Sequence, residues 1–256
     1  MLTRERQEVI RARLDLSGRV VAADLAREFA VSEDTIRRDL RELAAEGICE
    51  RVYGGALVRV PARPFSERMS ENQPLKSVFG AEIASLLPDG GLVFIDAGTT
   101  NLSVAEAIGS GRDMTVMTNA PAIAAMLTVS SDVEVMLTGG RVDRKIGGAI
   151  DTRAVTSLDG IYPDVFVLGT CGIVPGEGLF ASRADEQTFK AEVARRSRRI
   201  ITAADTAKFE TAAPYRITAF SPEVTLLVEN GNSNDMSAIA EAGARIVPVA
   251  AGRANT

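Results

Sequence analysis

Val20-Val-Ala-Ala-Asp-Leu-Ala-Arg-Glu-Phe-Ala-Val-Ser-Glu-Asp-Thr-Ile-Arg-Arg-Asp-Leu40 decides how the amino-terminal part of this chain folds. It reads as two short helices joined by a tight turn. Leu25 and Phe29, four apart, give the first helix one apolar side. Ser32 is a good N-cap, and Glu33 and Asp34 occupy the first turn, where the helix dipole favours negative charge. Ile36, Leu40 and Leu43 repeat at i, i+4 and i+7 and predict a buried stripe. Asp34, Thr35, Arg37, Arg38 and Arg41 are left on the other faces, the shape of a helix-turn-helix reading head for the DNA major groove. A plainer reading stands beside it: Asp34–Arg38 and Arg38–Glu42 are i,i+4 pairs, and most charged helix faces are merely solvated.

The neighbouring sequence favours the reading head. Thr3 to Leu16 predicts a helix with Ile10 and Leu14 inward and Gly18 beyond its end. After Gly47, the run Ile48–Val58 holds two short β-prone stretches around Gly54-Gly55, a pair that tolerates the positive φ of two-residue hairpins. Helix, helix, reading helix, hairpin is the order of a winged helix, whose wing would hold Arg51, Tyr53 and Arg59 near phosphates. Val31-Ser-Glu-Asp-Thr-Ile-Arg-Arg-Asp-Leu40 followed by Arg51-Val-Tyr-Gly-Gly-Ala56 resembles the amino-terminal signature of the DeoR/GlpR family of bacterial transcriptional regulators, near-continuously through roughly the first 58 residues. The resemblance implies Ser32, Thr35, Arg37 and Arg38 as DNA-contacting residues. Tyr53 departs from it, since the family more often shows His there; this keeps the hairpin but alters any base contact.

Bulk properties bound the rest. The 256 residues suit one large or two small domains, and 46% apolar with 25% charged content is ordinary for a globular chain. No apolar run approaches the ~20 residues needed to span a bilayer, and the amino terminus lacks a signal-peptide core, so a cytoplasmic protein is expected. Cys49 and Cys171 fall in different predicted domains and read as reduced structural thiols. The chain has no histidine, which excludes His-based metal sites, His bases and Ser-His-Asp triads. No cofactor is expected. The net charge of −5 divides unevenly: residues 1–68 carry 13 arginines against 12 acidic residues, and residues 69–256 carry 16 basic against 22 acidic. The head is thus barely basic, so phosphate attraction must come from the placement of Arg37, Arg38, Arg41, Arg51 and Arg59, a set that dimerisation would double.

Val60-Pro-Ala-Arg-Pro-Phe65 resists helix and predicts a hinge. The expected organisation is a winged helix-turn-helix over 1–60, a linker over 61–72 and an α/β domain over 73–256. A helix fits Leu75–Leu87. Strands are predicted at Leu92–Asp96, Thr115–Asn119, Val133–Thr138, Asp164–Gly169, Ile200–Ala204, Val224–Val228 and Arg245–Val249, with helices at Thr100–Ile108, Ala120–Thr128, Arg183–Ser197 and Asp235–Glu241. Near-continuous apolar strands alternating with helices predict a layered parallel sheet with right-handed crossovers. Ala251–Thr256 is expected to fray.

Ligands of open α/β sheets bind at the carboxyl ends of strands. Five such ends are small, polar and glycine-rich: Asp96-Ala-Gly-Thr-Thr-Asn101, Thr118-Asn119, Thr138-Gly-Gly-Arg141, Gly169-Thr-Cys-Gly172 and Asp205-Thr-Ala-Lys208. Gly98-Thr99-Thr100 at a helix start offers amides and hydroxyls as an anion cradle, although any βα turn also uses such residues. Only four lysines occur, at 76, 145, 190 and 208. Lys208 lies just past a strand end, where an ammonium could meet a phosphate. Lys190 follows Glu186 by four and reads as a surface pair, and Lys145 as a solvated loop residue. These stations resemble the sensor domain of the DeoR/GlpR family, which is similar to the ribose-5-phosphate isomerase and glucosamine-6-phosphate deaminase fold. The resemblance implies a sensor of phosphorylated sugars. Gly98, Thr99, Thr100, Lys76 and Lys208 would hold phosphate, Asp96, Asp205 and Glu186 would accept sugar hydroxyls, and Asn119, Gly139 and Gly140 would complete the site. The expected protein is a repressor of a carbohydrate or nucleoside catabolic operon, not an enzyme. Its partners are an operator duplex and a phosphorylated sugar, in a homodimer or homotetramer without membrane contact. The alternative is a sugar-phosphate isomerase carrying a DNA-binding module, with Asp96, Asp205 or Glu186 as base. A kinase is disfavoured, since neither a Gly-x4-Gly-Lys-Ser/Thr loop nor a Gly-x-Gly-x-x-Gly fingerprint after a strand occurs.

Overall fold

Two hydrophobic clusters form, one from residues 10–56 and one from residues 75–249, in a computed structural model that describes residues 2–17, 19–52, 54–58, 64–209, 213–229 and 233–250. Tyr53, Arg59, most of the predicted hinge (60–63) and the tail 251–256 lie outside the described residues.

The first unit runs α1 (Thr3–Ser17), β1 (Arg19–Val21), α2 (Ala22–Phe29), α3 (Glu33–Ala45), β2 (Cys49–Val52) and β3 (Gly55–Val58). Ser32 caps α3 as expected, its Oγ accepting from the Thr35 amide at 3.2 Å. The turn before it closes through Ala30 in the left-handed region (φ 52°), with Val31 N donating to Ala26 O at 3.1 Å. Ile10, Leu14, Leu25, Ile36, Leu40 and Leu43 are all buried. Val20 and Val21 were expected in the second helix; instead they form β1, which pairs antiparallel with β3 and makes a three-stranded wing in the order β1-β3-β2. The two glycines of the hairpin divide its demands. Gly54 takes φ +83° at the turn, whereas a Cβ on Gly55 would stand 2.0 Å from Val20 O. The third strand therefore needs glycine at 55 in order to approach.

The reading helix is anchored by a pair absent from the apolar pattern. Asp39, 2% exposed, receives two hydrogen bonds from the Arg6 guanidinium, at 2.5 and 3.0 Å, and Arg6 is itself 5% exposed. The pair ties α1 to the inner face of α3.

The second unit contains α4 (Phe65–Arg68), α5 (Gln73–Leu86), β4 (Gly90–Ile95), α6 (Thr99–Ala107), β5 (Asp113–Thr118), α7 (Pro121–Ser130), β6 (Glu134–Leu137), β7 (Val142–Asp143), β8 (Gly148–Ala149), α8 (Thr152–Thr156), β9 (Val165–Val167), β10 (Gly172–Val174), β11 (Gly178–Ala181), α9 (Ala184–Arg196), β12 (Arg199–Ala204), a 3₁₀ turn (Thr206–Phe209), β13 (Tyr215–Thr218), β14 (Val224–Glu229), α10 (Ser233–Glu241) and β15 (Arg245–Val249). All seven predicted strands form one parallel sheet, ordered β15-β14-β12-β9-β4-β5-β6. From β4 the chain winds outward through β5 and β6, then returns to β9 and winds the other way. The order reverses between β4 and β9, and ligands of such sheets bind at the carboxyl side of that reversal. Phe94 and Phe166, edge to face with centroids 5.6 Å apart, and Phe189 fill the core beneath it.

The β7–β8 hairpin, the antiparallel β10-β11-β13 sheet, α4 and α8 were not predicted. Each is too short to show a period and depends on tertiary contact. Among the described residues no helix is long and apolar enough to cross a membrane.

Asp39→Ala strands a buried guanidinium and is expected to cost about 3 kcal/mol, whereas Arg6→Met combined with Asp39→Leu should recover most of that loss. Hydrogen exchange of α1 and α3 amides in the full chain measures both.

Candidate functional site

On the reading head, Ser32, Asp34, Arg37, Arg38 and Arg41 are exposed and Thr35 is half-buried, all on or just before α3; Arg51 is exposed on β2. The Ser32 Oγ lies 2.9 Å from Thr35 Oγ1, so both hydroxyls cluster at the helix start. Arg37 pairs with Glu33 at 3.2 Å and lies 3.9 Å from Asp34, and Arg38 lies 3.6 Å from Glu42. Asp34 therefore faces Arg37, not Arg38 as its spacing suggested. Arg41 has no acidic partner among the described residues. Exposed pairs on one helix stabilise by only about 0.3–0.5 kcal/mol, little enough for a phosphate to displace. The solvated-pair reading and the DNA-reading face are thus compatible.

At the reversal point, Asn101 donates to Asp96 O at 2.9 Å and Val167 O at 3.2 Å, stapling the ends of β4 and β9. Asn119, fully buried, accepts from Ala97 N at 2.9 Å and donates to Ala149 O at 3.1 Å and Asp96 Oδ1 at 3.3 Å. Gly98 and Thr100 are half-buried and Thr99 is buried. The first α6 hydrogen bond runs from Leu102 N to Gly98 O, at 2.9 Å, so the Thr99, Thr100 and Asn101 amides open the helix.

Helix α5 begins beside them. It ends three residues before β4, and α6 starts just after β4, so both helices run from the carboxyl to the amino edge of the sheet. They touch where a Cβ on Gly80 would stand 2.4 Å from Ser103 O. Lys76 lies one turn before Gly80, and Thr99 one turn before Ser103. The packing therefore sets Lys76 level with the α6 amides. Lys76 is half-buried, and its pKa is lowered by burial, with Arg68 and Lys208 lowering it further against Glu71 and Asp205. Lys76, Lys208 and Asp205 are thus electrostatic neighbours. Asp205 Oδ1 is buried without a hydrogen-bond partner among the described residues. So is Thr138 Oγ1, at the end of β6.

Beneath the crevice lies a charge network. Lys190 Nζ donates to Glu186 Oε1 at 2.6 Å and Gly169 O at 2.5 Å, and sits 3.1 Å from Asp96 Oδ2. All three side chains are at most 5% exposed. The surface pair read from the Glu186–Lys190 spacing is therefore an interior one. Asp96 Oδ2 also accepts from Gly169 N at 3.2 Å. Glu186 accepts from the Cys171 thiol at 3.5 Å and the Ser182 hydroxyl at 3.4 Å. Burial raises the Asp96 pKa further than Lys190 lowers it. Burial opposes the charge on Glu186, but Lys190, Cys171 and Ser182 hold its pKa low. Lys190 is pushed up, because two carboxylates outweigh its burial. Asp96 and Glu186 thus face inward to Lys190. Sequence reasoning missed Asn101 and the placement of Lys190. The available signal was charge inside an apolar stripe, since Glu186 and Lys190 alternate with Phe189 and Val193 on one face of α9.

Gly139 and Gly140 are exposed at the far edge strand. Gly140 has φ +118°, and Asp151, which also caps α8, holds the turn by accepting from Arg141 N at 2.9 Å. The β7–β8 hairpin closes against the crevice: a Cβ on Gly148 would stand 2.5 Å from the Ala97 Cβ. Arg183 fixes the hairpin by donating to Asp143 at 2.6 Å.

Residues 6–60 match the DeoR-like helix-turn-helix domain, and residues 71–230 match the DeoR C terminal sensor domain. A protein of Escherichia coli O157:H7 named for repression of the aga operon is 30% identical over 253 residues, 96% of this chain and 94% of that one. The glycerol-3-phosphate regulon repressor of Escherichia coli K12 is 30% identical over 194 residues, 75% of this chain and 77% of that one. The full-length sorbitol operon regulator SorC from Klebsiella pneumoniae shows a looser likeness, with TM-score 0.38 and 14% identity over 90% of this chain and 97% of that one.

Lys190→Met leaves two buried carboxylates facing each other and is expected to cost about 3 kcal/mol. A carboxyl whose folded pKa is raised stabilises below its unfolded value and loses that contribution as pH rises through the folded one. Thermal scans should therefore show the variant's melting temperature falling more steeply than the parent's as pH rises above the ordinary Asp range of about 4.

Proposed function

Since the chain belongs to the DeoR family of transcriptional regulators, we propose that it represses a carbohydrate or nucleoside catabolic operon under the control of a phosphorylated sugar. The observation that carries the effector class is the Asp205 oxygen, buried and unpartnered beside Lys76 and Lys208. An unpaired buried carboxylate oxygen costs free energy until it meets a donor. A polyol phosphate brings what the cluster lacks: hydroxyls for Asp205, and an anion for the two lysines and the amides of Thr99, Thr100 and Asn101. The Gly98 carbonyl accepts the first bond of that helix, from Leu102 N. Asp96, Glu186 and Asn119 act from behind, holding the strand ends in place, and Gly139 and Gly140 shape the outer turn.

Ser32, Thr35, Arg37, Arg38, Arg41, Arg51 and Tyr53 would meet an operator duplex. Two heads related by a two-fold axis would suit palindromic half-sites, so a homodimer or homotetramer is the working form, in the cytoplasm with its DNA. The effector favours one arrangement of the heads, and its differential affinity shifts the population between operator-bound and free protein. An isomerase reading needs a carboxylate that reaches substrate. Two of its three candidate bases, Asp96 and Glu186, are instead buried against Lys190, which leaves Asp205 alone to serve it and favours the regulator.

Arg41→Ala should lower operator affinity about tenfold and reduce the salt slope of binding by about 1, and Arg38→Ala should act in the same direction; unchanged affinity in titrations across salt would remove these residues from the reading face. Lys208→Ala should keep operator affinity while abolishing the response to phosphorylated sugars. A thermal-shift screen of such sugars against parent and variant tests the effector class, since a hundredfold excess over Kd stabilises by about 2.7 kcal/mol.

A further inference from the structure

The segment between the two units is more than a tether. Residues 59–63 are all that separate β3 from Pro64, and α4 then lies against the rim of the crevice. The half-buried Phe65 packs on the core of the second unit, and its ring occupies the space that a Cβ on Gly147 would enter at 2.6 Å. The Arg68 guanidinium donates to Lys145 O at 3.0 Å and stands 6.0 Å from the centre of the Phe65 ring. Helix α4 is thereby docked on the β7–β8 loop, whose Gly148 in turn abuts Ala97 and Asn119.

A second attachment reaches the crevice directly. The Lys76 ammonium donates to Arg68 O at 2.5 Å, and that carbonyl also accepts from Glu71 N at 3.3 Å. Asn72, left-handed at φ 48°, makes the bend between this turn and α5. Lys76 thus holds α4 on one side and faces Lys208 and Asp205 on the other.

We propose that the Lys76–Arg68 hydrogen bond is a latch through which occupancy of the crevice reaches the linker. It rests on the effector reading above and adds its route to the head. The ammonium–carbonyl bond is already charge-assisted, but a phosphate oxygen adds the attraction of opposite charges. An anion between Lys76 and Lys208 draws the ammonium off Arg68 O. The turn 68–72 then loses that tie to α5, its bonds from Gln73 Nε2 to Met69 O and from Lys76 N to Asn72 O remaining, and α4 leans more on its docking on the hairpin loop. The loosening of α4 is the change that reaches the head and alters operator binding.

Hydrogen exchange of the full chain with and without millimolar inorganic phosphate tests this. The Arg68, Met69 and Glu71 amides should exchange about tenfold faster with phosphate. Lys76→Met should show the faster rate without phosphate and no further response, and Lys208→Ala the slow rate throughout. Phosphate that raises the melting temperature of the parent but not of Lys208→Ala, with exchange at 68–71 unmoved, overturns the latch and leaves the anion site standing. Parent-like slow exchange in Lys76→Met overturns the latch on its own. No thermal shift of the parent by phosphate removes the anion site, and the latch with it.

Discussion

Lys190, enclosed by Asp96, Glu186 and the Gly169 carbonyl, is the interaction on which the second unit depends. It joins three elements that meet at the reversal of strand order: the end of β4, the exit from β9, and α9. Burying three charges costs several kcal/mol per ion, and their attraction does little more than offset that. The contribution is positional. With Asp96 held by Lys190, Gly169 and Asn119, the loop Ala97–Thr100 leaves the sheet along one path only, and the start of α6 is fixed by that path. A crevice lined by backbone amides needs such support, because amides cannot adjust to a ligand as long side chains do.

Most of the architecture was legible because its strands are buried on both faces. Val93–Ile95 is apolar throughout and Val224–Val228 is apolar but for Thr225, and the seven predicted strands all fall in one sheet. The reading helix was legible for a different reason, since Ser32 and the Ile36, Leu40, Leu43 stripe carry their own local signals. What escaped prediction lacks such signals. Val20 and Val21 suit helix start or strand equally, and pairing with β3 decided the matter. Glu186–Lys190 reads as a surface pair, because the spacing of an ion pair is the same outside a protein as inside, and the Arg6–Asp39 pair, 33 residues apart, has no local spacing to reveal it. Only the apolar residues that share their helix face reveal the difference.

The two units use charge in opposite ways. On α3, Arg37 and Arg38 stand in exposed pairs with Glu33, Asp34 and Glu42, cheap to rearrange and open to competition from a polyanion. Under the crevice the charges are enclosed and committed to one another. This contrast explains why overall charge was a poor guide to function. The acidic excess of residues 69–256 says nothing about the few lysines that matter, and the near-neutral head depends on where its arginines stand.

Gly80 carries a last consequence. The absent methyl at that position lets α5 and α6 lie backbone to backbone, so Lys76 and the amides of Thr99 to Asn101 belong to one rigid jaw. The backbone spacing between them is set by the fold, and the Lys76 side chain supplies the reach across it. With the effector seated as proposed, such a jaw would gauge width: it would admit a charged head of one size and leave the discrimination among compounds sharing that head to whatever extends past its rim. Relatives that keep the small residue would then be free to diversify in diet by altering the rim alone.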